Sequence, residues 1–180
     1  MTATQRPSIA SAGSADTRHV DGITFREVMG AVCTPVAVVT AMCGDRPHGT
    51  TVSAFSSLSL DPPMVVVSLD RDSELLRHVR RTRQFGVNLL ASDQGDLALR
   101  FARKGDDKFD GVDWRLHEGV PRFVSCAGWL ACSVTRLLRG GDHTLALGLV
   151  VDAEHMQAQP LTYHLRAFGT HTALGGVSGS

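Results

Sequence analysis

Residues His48–Pro63 read H-G-T-T-V-S-A-F-S-S-L-S-L-D-P-P. At a period of two, Val52, Ala54, Leu58 and Leu60 fall on one face, with Ser56 the only interruption. Thr51, Ser53, Phe55, Ser57 and Ser59 fall on the other. The pattern predicts one strand with an apolar back, ended at Asp61-Pro62-Pro63. Its front carries four hydroxyls around one aromatic ring. Hydroxyls and backbone N–H groups hold a phosphate or a polar heterocycle without adding charge. A ring among them packs on a flat ligand. An ordinary solvated strand face has the same composition, so both readings stand on this stretch alone.

The neighbouring segments are strands as well. P-V-A-V-V-T-A-M-C (35–43) reads as a buried strand rich in β-branched residues, joined to the hydroxyl strand by the turn Gly44-Asp45-Arg46-Pro47. M-V-V-V-S-L (64–69) and F-G-V-N-L-L-A (85–91) follow, and 129–138 and 143–155 are two long strands joined by R-G-G-D. Three helices are expected. One spans 22–33, with Phe25, Val28, Met29 and Val32 at helical spacing. One spans 74–83, capped by Asp72-Ser73, with Leu75, Leu76 and Val79 on one side and arginines mostly on the other. One follows a Ser92-Asp93 cap, with Leu97 and Phe101 at i and i+4. Strands outnumber helices and run between Gly-rich turns. That predicts a closed or nearly closed β-barrel with a few peripheral helices rather than a doubly wound sheet.

The chain has 180 residues, which predicts one domain. Residues 1–19 are rich in Ser, Ala, Thr and Gly and read as a disordered tail, 20–172 as the folded domain, and 173–180 as a second tail. Lys plus Arg and Asp plus Glu both number 18, so bulk charge points to neither nucleic acid nor a membrane surface. No run is long enough to span a bilayer, and the N-terminus lacks an apolar signal core. Cys33, Cys43, Cys126 and Cys132 form no C-x-x-C pair and match neither a zinc site nor a disulfide framework; reduced thiols in a cytoplasm are expected.

The usual catalytic signatures are missing: G-x-G-x-x-G between strand and helix, G-x-x-x-x-G-K-[ST], G-x-S-x-G and H-E-x-x-H. Asp106, Asp107 and Asp110 before Gly111 resemble a calcium loop, but Lys108 takes the third slot and His117 the twelfth, so no metal is expected. G-G-D-H (140–143) presents Asp142 and His143 at a hairpin mouth, and is equally good plain turn chemistry. Asn88 lies in an apolar strand, where its amide must bond either a neighbouring backbone or a ligand.

These pieces occur in one order: P-V-A-V-V-T, H-G-T-T-V-S-A-F-S-S-L-S-L-D-P-P-M-V, F-G-V-N-L-L, F-A-R-K-G-D-D-K-F, G-G-D-H and P-L-T-Y-H-L-R-A-F-G. As an ordered set, spanning about residues 23–169, they resemble the short-chain flavin reductases, which supply reduced flavin to two-component monooxygenases. The resemblance implies a split β-barrel of Greek-key type, usually a homodimer, that binds FMN or FAD and NADH or NADPH. It implies a flavin site from Pro35, Val36, Thr50, Thr51, Val52, Ser53, Ala54, Ser57 and Ser59, with Asn88, Leu89 and Leu90 beside it. Phe101 to Phe109 would close near the phosphate, with Arg103, Lys104 and Lys108 as its cations. Gly141, Asp142 and His143 would meet the nicotinamide nucleotide. Ala54 carries a conflict: the resemblance puts it at the flavin, while the period of two turns its side chain away, so only its backbone serves both.

The implied reaction is hydride transfer from nicotinamide to flavin, in which the protein orients two flat rings and needs no nucleophile. His143 would hold the nicotinamide or its phosphates, or protonate the reduced flavin. Flavin held through many modest hydrogen bonds would exchange and diffuse to a partner monooxygenase. The competing readings are a flavin- or haem-binding carrier or sensor, and an oxidase of the pyridoxamine-phosphate type that keeps its FMN.

Overall fold

A computed structural model describes residues 19–105 and 107–174. Most of the expected tails, 1–18 and 175–180, and Asp106 of the calcium-like loop lie outside the described residues. In chain order the elements are α1 (Gly22–Gly30), β1 (Thr34–Pro35), β2 (Ala37–Cys43), β3 (Arg46–Val52), β4 (Phe55–Leu60), β5 (Pro63–Asp70), α2 (Glu74–Thr82) and β6 (Gln84–Leu89). They continue with α3 (Gly95–Ala102), β7 (Trp114–His117), β8 (Val120–Phe123), β9 (Gly128–Gly140), β10 (His143–His155), β11 (Leu161–His164) and β12 (Ala167–Thr170). The protein is mainly β with few helices.

Seven strands form one sheet in the order β3-β2-β6-β9-β10-β5-β4, with antiparallel neighbours throughout. The expected single strand over 48–63 is therefore two. It breaks at Ser53-Ala54, and its halves lie at opposite edges of the sheet. Laid flat, seven strands would put those edges roughly 29 Å apart. The path from Val52 to Phe55 spans at most about 11 Å. The sheet must curl until its edges nearly meet. No ladder joins β3 to β4 among the described residues, so of the expected closed or nearly closed barrel the closed form is absent, and the sheet is curled with a seam. The Ser68 N–H donates to the Ala54 carbonyl at 2.8 Å, anchoring the seam to β5.

The break also resets the alternation. Val52 and Phe55 pack against the main core, whereas Leu58 is 47% and Leu60 92% exposed. The expectation that Leu58 turns inward is overturned. Beyond the seam, the even-numbered Ser56 lies opposite Val66 and a register shift falls between Ser57 and Ser59, so one phase does not run through both halves.

β2 is buried on both faces, which is why 36–41 is apolar at every position but Thr40, whose hydroxyl donates to the Pro121 carbonyl at 2.7 Å. Ala37, Val39 and Ala41 join the core inside the curl, where Leu75, Leu76 and Val79 of α2 plug one end. Val36 and Val38 face a second cluster with Phe101 of α3, Phe123 and Leu161. Inside the curl the Phe85 ring of β6 crosses β9 to lie over β10: a Cβ on Gly148 would sit 2.5 Å from Phe85 Cζ.

Helix ends follow local chemistry. Asp21 caps α1 and Ser73 caps α2 through side-chain oxygens, while α3 is entered from Gln94 with no side-chain cap, not from Ser92-Asp93. α1 stops at Gly30, short of the expected 33, and buries none of its residues; Ile23, Phe25, Val28 and Met29 stay exposed. Two pairings had no sequence expectation: the β7-β8 hairpin and the small sheet β1-β11-β12. The two-residue β11-β12 turn places Leu165 at φ 47° and Arg166 at φ 65°. That backbone favours Asn-Gly and costs an ordinary residue about 1–2 kcal/mol.

Candidate functional site

The seam opens into a slot of about 640 Å³ on the outer face of the curled sheet. One wall is Ser53, Ala54, Phe55 and Ser56 with Val66 and Ser68 of β5 and Leu145 of β10. The facing wall is the C-terminal half of α1, Thr34 and the β11-β12 segment, through Met29, Val32, Tyr163 and Arg166. Outside the curl, residues 66 and 68 alternate with the buried Val65, Val67 and Leu69, so they project away from the core and onto the slot. The walls are mostly apolar, and the rim carries hydroxyls of Ser53, Ser56 and Ser68. Arg26 and Arg166 also line the slot, and no acidic residue does. Such a space, apolar with convergent polar groups, suits a ring system with one polar edge, and its volume falls in the range of small-molecule sites.

A second cavity of about 540 Å³ begins where the first ends along β5, with Ser68 lining one and Asp70 the other. It is polar. Arg77, Arg103, Lys104 and Lys108 line it together with Asp70, Asp72 and Glu74, and Thr50 and His48 come from β3. Lys108 is only 8% exposed, and its Nζ donates to the Gly49 and Phe101 carbonyls at 3.2 and 3.3 Å. It pins β3 to the end of α3 while its charge lines the cavity.

The β9-β10 hairpin tip stands beside both cavities. His143 pairs with Asp70, Leu145 pairs with Ser68, and the Arg71 N–H donates to the Asp142 carbonyl at 3.1 Å. His143 and Leu145 share a face, roughly 7 Å apart along β10. Gly141, at φ 61°, makes the turn. His143 Nδ1 lies 2.8 Å from Asp142 Oδ1, and that hydrogen bond, then the attraction of the imidazolium form, holds the Asp142 carboxyl below its ordinary range. The carboxylate accepts only, so Nδ1 carries the proton and Nε2 of the neutral ring is left as an acceptor.

The structure brings together part of the expected site and separates the rest. Ser53 and Ala54 line the apolar slot; Thr50, Lys104 and Lys108 line the polar cavity; Pro35 and Val36 follow Thr34 of the slot wall. Val36 itself is buried in the second core cluster. Thr51 turns to α3, its hydroxyl donating to the Ala98 carbonyl at 2.6 Å, and Val52 packs on the main core. Ser57 and Ser59 lie on β4 beyond the seam and line neither cavity. Leu90 and Phe101 are core residues, Leu89 packs on the core, and Phe109 stacks edge-on against Phe101 with ring centroids 4.9 Å apart.

Asn88 is 0% exposed. Its Nδ2 lies 3.3 Å from Val38 O, Thr40 Oγ1 and Pro121 O, and its Oδ1 accepts the Phe123 N–H at 2.7 Å. The amide ties β8 onto β6 and β2 and has no face left for a ligand. Phe55, the ring expected on the ligand face, does line the slot, while sequence reasoning missed Arg26, Ser68, Leu145 and Tyr163, because their convergence depends on the curl. The one legible signal was Leu165-Arg166, an ordinary pair where a tight turn favours Asn or Gly. Among the described residues no group of three or more His, Cys, Asp or Glu is placed to hold a metal, and no helix is long and apolar enough to cross a membrane.

The chain is similar to known proteins in sequence and fold. A family model described as a flavin reductase like domain matches residues 29–172. The reductase component of a 4-nitrophenol 4-monooxygenase/4-nitrocatechol 2-monooxygenase from Rhodococcus opacus is 37% identical over 150 residues, covering 83% of this chain and 81% of that protein. An FMN reductase (NADH), SmoA, from Agrobacterium fabrum is 37% identical over 147 residues, covering 81% and 84%. A probable flavin reductase from Rhizobium meliloti is 37% identical over 145 residues, and this chain spans about half of it, 47%. The solved structure of the Streptomyces globisporus C-1027 NADH:FAD oxidoreductase SgcE6, in complex with NAD and FAD fragments, superposes with a TM-score of 0.79 at 34% identity, covering 87% of this chain and 96% of that one.

Proposed function

This chain belongs to the flavin reductase like family, and from that premise we propose that it is an NAD(P)H-dependent flavin oxidoreductase that reduces FMN or FAD and releases the product to a partner monooxygenase. The observation that carries the reading is the slot at the seam, apolar on its walls and edged with hydroxyls, with a polar cavity next along β5 whose lining includes Arg103, Lys104 and Lys108. An isoalloxazine ring fits the first and a ribityl phosphate the second. The nicotinamide supplies a hydride and the flavin ring accepts it.

The protein's part is placement. Backbone groups of Ser53 and Ala54 would meet the polar edge of the flavin ring. Arg103, Lys104 and Lys108 would draw in its phosphate. His143, two residues from Leu145 on the same face, would steady the nicotinamide nucleotide, with Asp142 fixing its tautomer. We assign residues 20–172 to this domain, read the curled sheet as a split β-barrel of Greek-key type, and place the protein in the cytoplasm as a homodimer. The apolar face of α1, exposed at Ile23, Phe25, Val28 and Met29, supports the dimer.

The test mixes the protein with NADH or NADPH and with FMN, FAD or riboflavin in turn, following loss of the reduced-nicotinamide absorbance. Turnover with free flavin is expected. No oxidation with any pair would leave a flavin-binding carrier as the reading. His143→Ala is expected to raise the KM for the nicotinamide about tenfold, the loss of one hydrogen-bonded contact, while flavin binding holds. Unchanged nicotinamide kinetics would remove His143 from the site.

A further inference from the structure

The slot at the seam carries charge that a neutral ring does not need. Arg26 comes from α1 and Arg166 from the β11-β12 turn, and both line the slot with no acidic neighbour in its lining. Among the described residues neither guanidinium makes a hydrogen bond or ion pair. The two are held on a common frame. The Leu165 N–H donates to the Gly30 carbonyl at 2.9 Å, so the turn that presents Arg166 is bonded to the end of the helix that presents Arg26. Arg166 sits at φ 65°, where glycine would be relaxed. A strained, charged residue kept at the mouth of an apolar slot points to a ligand.

We propose that Arg26 and Arg166 bind the pyrophosphate of the nicotinamide dinucleotide as its reduced ring enters the slot. The inference rests on the flavin reductase reading. Under that reading the flavin phosphate has its own cations in the neighbouring cavity, Arg103, Lys104 and Lys108. The second nucleotide still brings two phosphates, and the chain has no G-x-G-x-x-G turn to cradle them. Two guanidinium groups without acidic neighbours match a doubly anionic pyrophosphate in charge, and their planar forks match its oxygens. They would let a site with mostly neutral hydroxyls select a nucleotide over a bare dihydropyridine.

The test compares the full-length wild type with Arg166→Gly and Arg26→Gln, using two hydride donors. One is NADH; the other is N-benzyl-1,4-dihydronicotinamide, which has no phosphate. Each variant is expected to raise the KM for NADH about tenfold, the loss of one charged contact. The double variant should lose more, and the salt dependence of the NADH KM should flatten. With the phosphate-free donor, wild type and variants should share one kcat/KM. Arg166→Gly should melt at or above the wild-type temperature, which separates lost binding from lost folding. NADH constants that stay at wild-type values in both variants overturn the proposal. So does a rise confined to the flavin KM, which would put the arginines on the flavin. A wild type that oxidises neither donor with any flavin would instead strike the reductase reading itself.

Discussion

Asn88 shows how one polar residue holds three elements. Its side chain serves two strands and the β8 segment, and every partner is buried with it. Asn88→Ala leaves the Phe123 N–H without its acceptor and removes a buried donor, so unfolding free energy should fall by about 3 kcal/mol in urea titrations. The sequence marked Asn88 as a buried amide in need of partners, but its choice of backbone over ligand depended on strands far away in the chain. His78 is the second informative residue. Nearly buried on α2, it has its pKa lowered by desolvation, with Arg81 and Arg77 adding to the effect against Glu74. The unfolded chain therefore takes up a proton near pH 6.5 that the folded protein resists. Stability should fall as pH drops through that region, and His78→Gln should flatten the decline in thermal melts. An identical pH profile in wild type and variant would mean that another group titrates.

At the scale of elements, hydrophobic period and turn chemistry made β2, β5, α2 and the long β9-β10 hairpin legible. Each has a pattern long enough to outvote local exceptions. α1 was legible as a helix but not as an exposed one, because periodicity reports a common face and not what covers it. The hydroxyl stretch failed for a related reason. An alternating pattern says that residues share a face, but a two-residue break at Ser53-Ala54 carries the second half to another edge of the sheet. Packing of the Phe85 ring over β9 onto β10 is testable at one glycine. Gly148→Ala would drive a Cβ into that ring and should cost about 3 kcal/mol with a matching drop in denaturation midpoint. Wild-type stability in that variant would mean that the ring moves aside without cost.

At the scale of the whole molecule, the unpartnered face of α1 bears on assembly and on the slot together, since Met29 belongs to both surfaces. The protein should sediment as a dimer, and Phe25→Glu, which puts a charge into that face, should shift it to monomer. A wild-type monomer would remove the dimer reading. Membership of the flavin reductases was readable from the order of short motifs, because each is a local solution to a turn, a strand or a cap. Those solutions depend on neighbours in sequence, and so the mainly β class, the helix and strand types and the family were all determined by the chain of letters. Which residues form the site was decided only in three dimensions. Two strand edges meet because two residues must bridge them, and the slot forms from parts as distant as Arg26, Ser53, Leu145 and Arg166. No period or spacing along the chain encodes that closeness; it comes from the curl of the sheet.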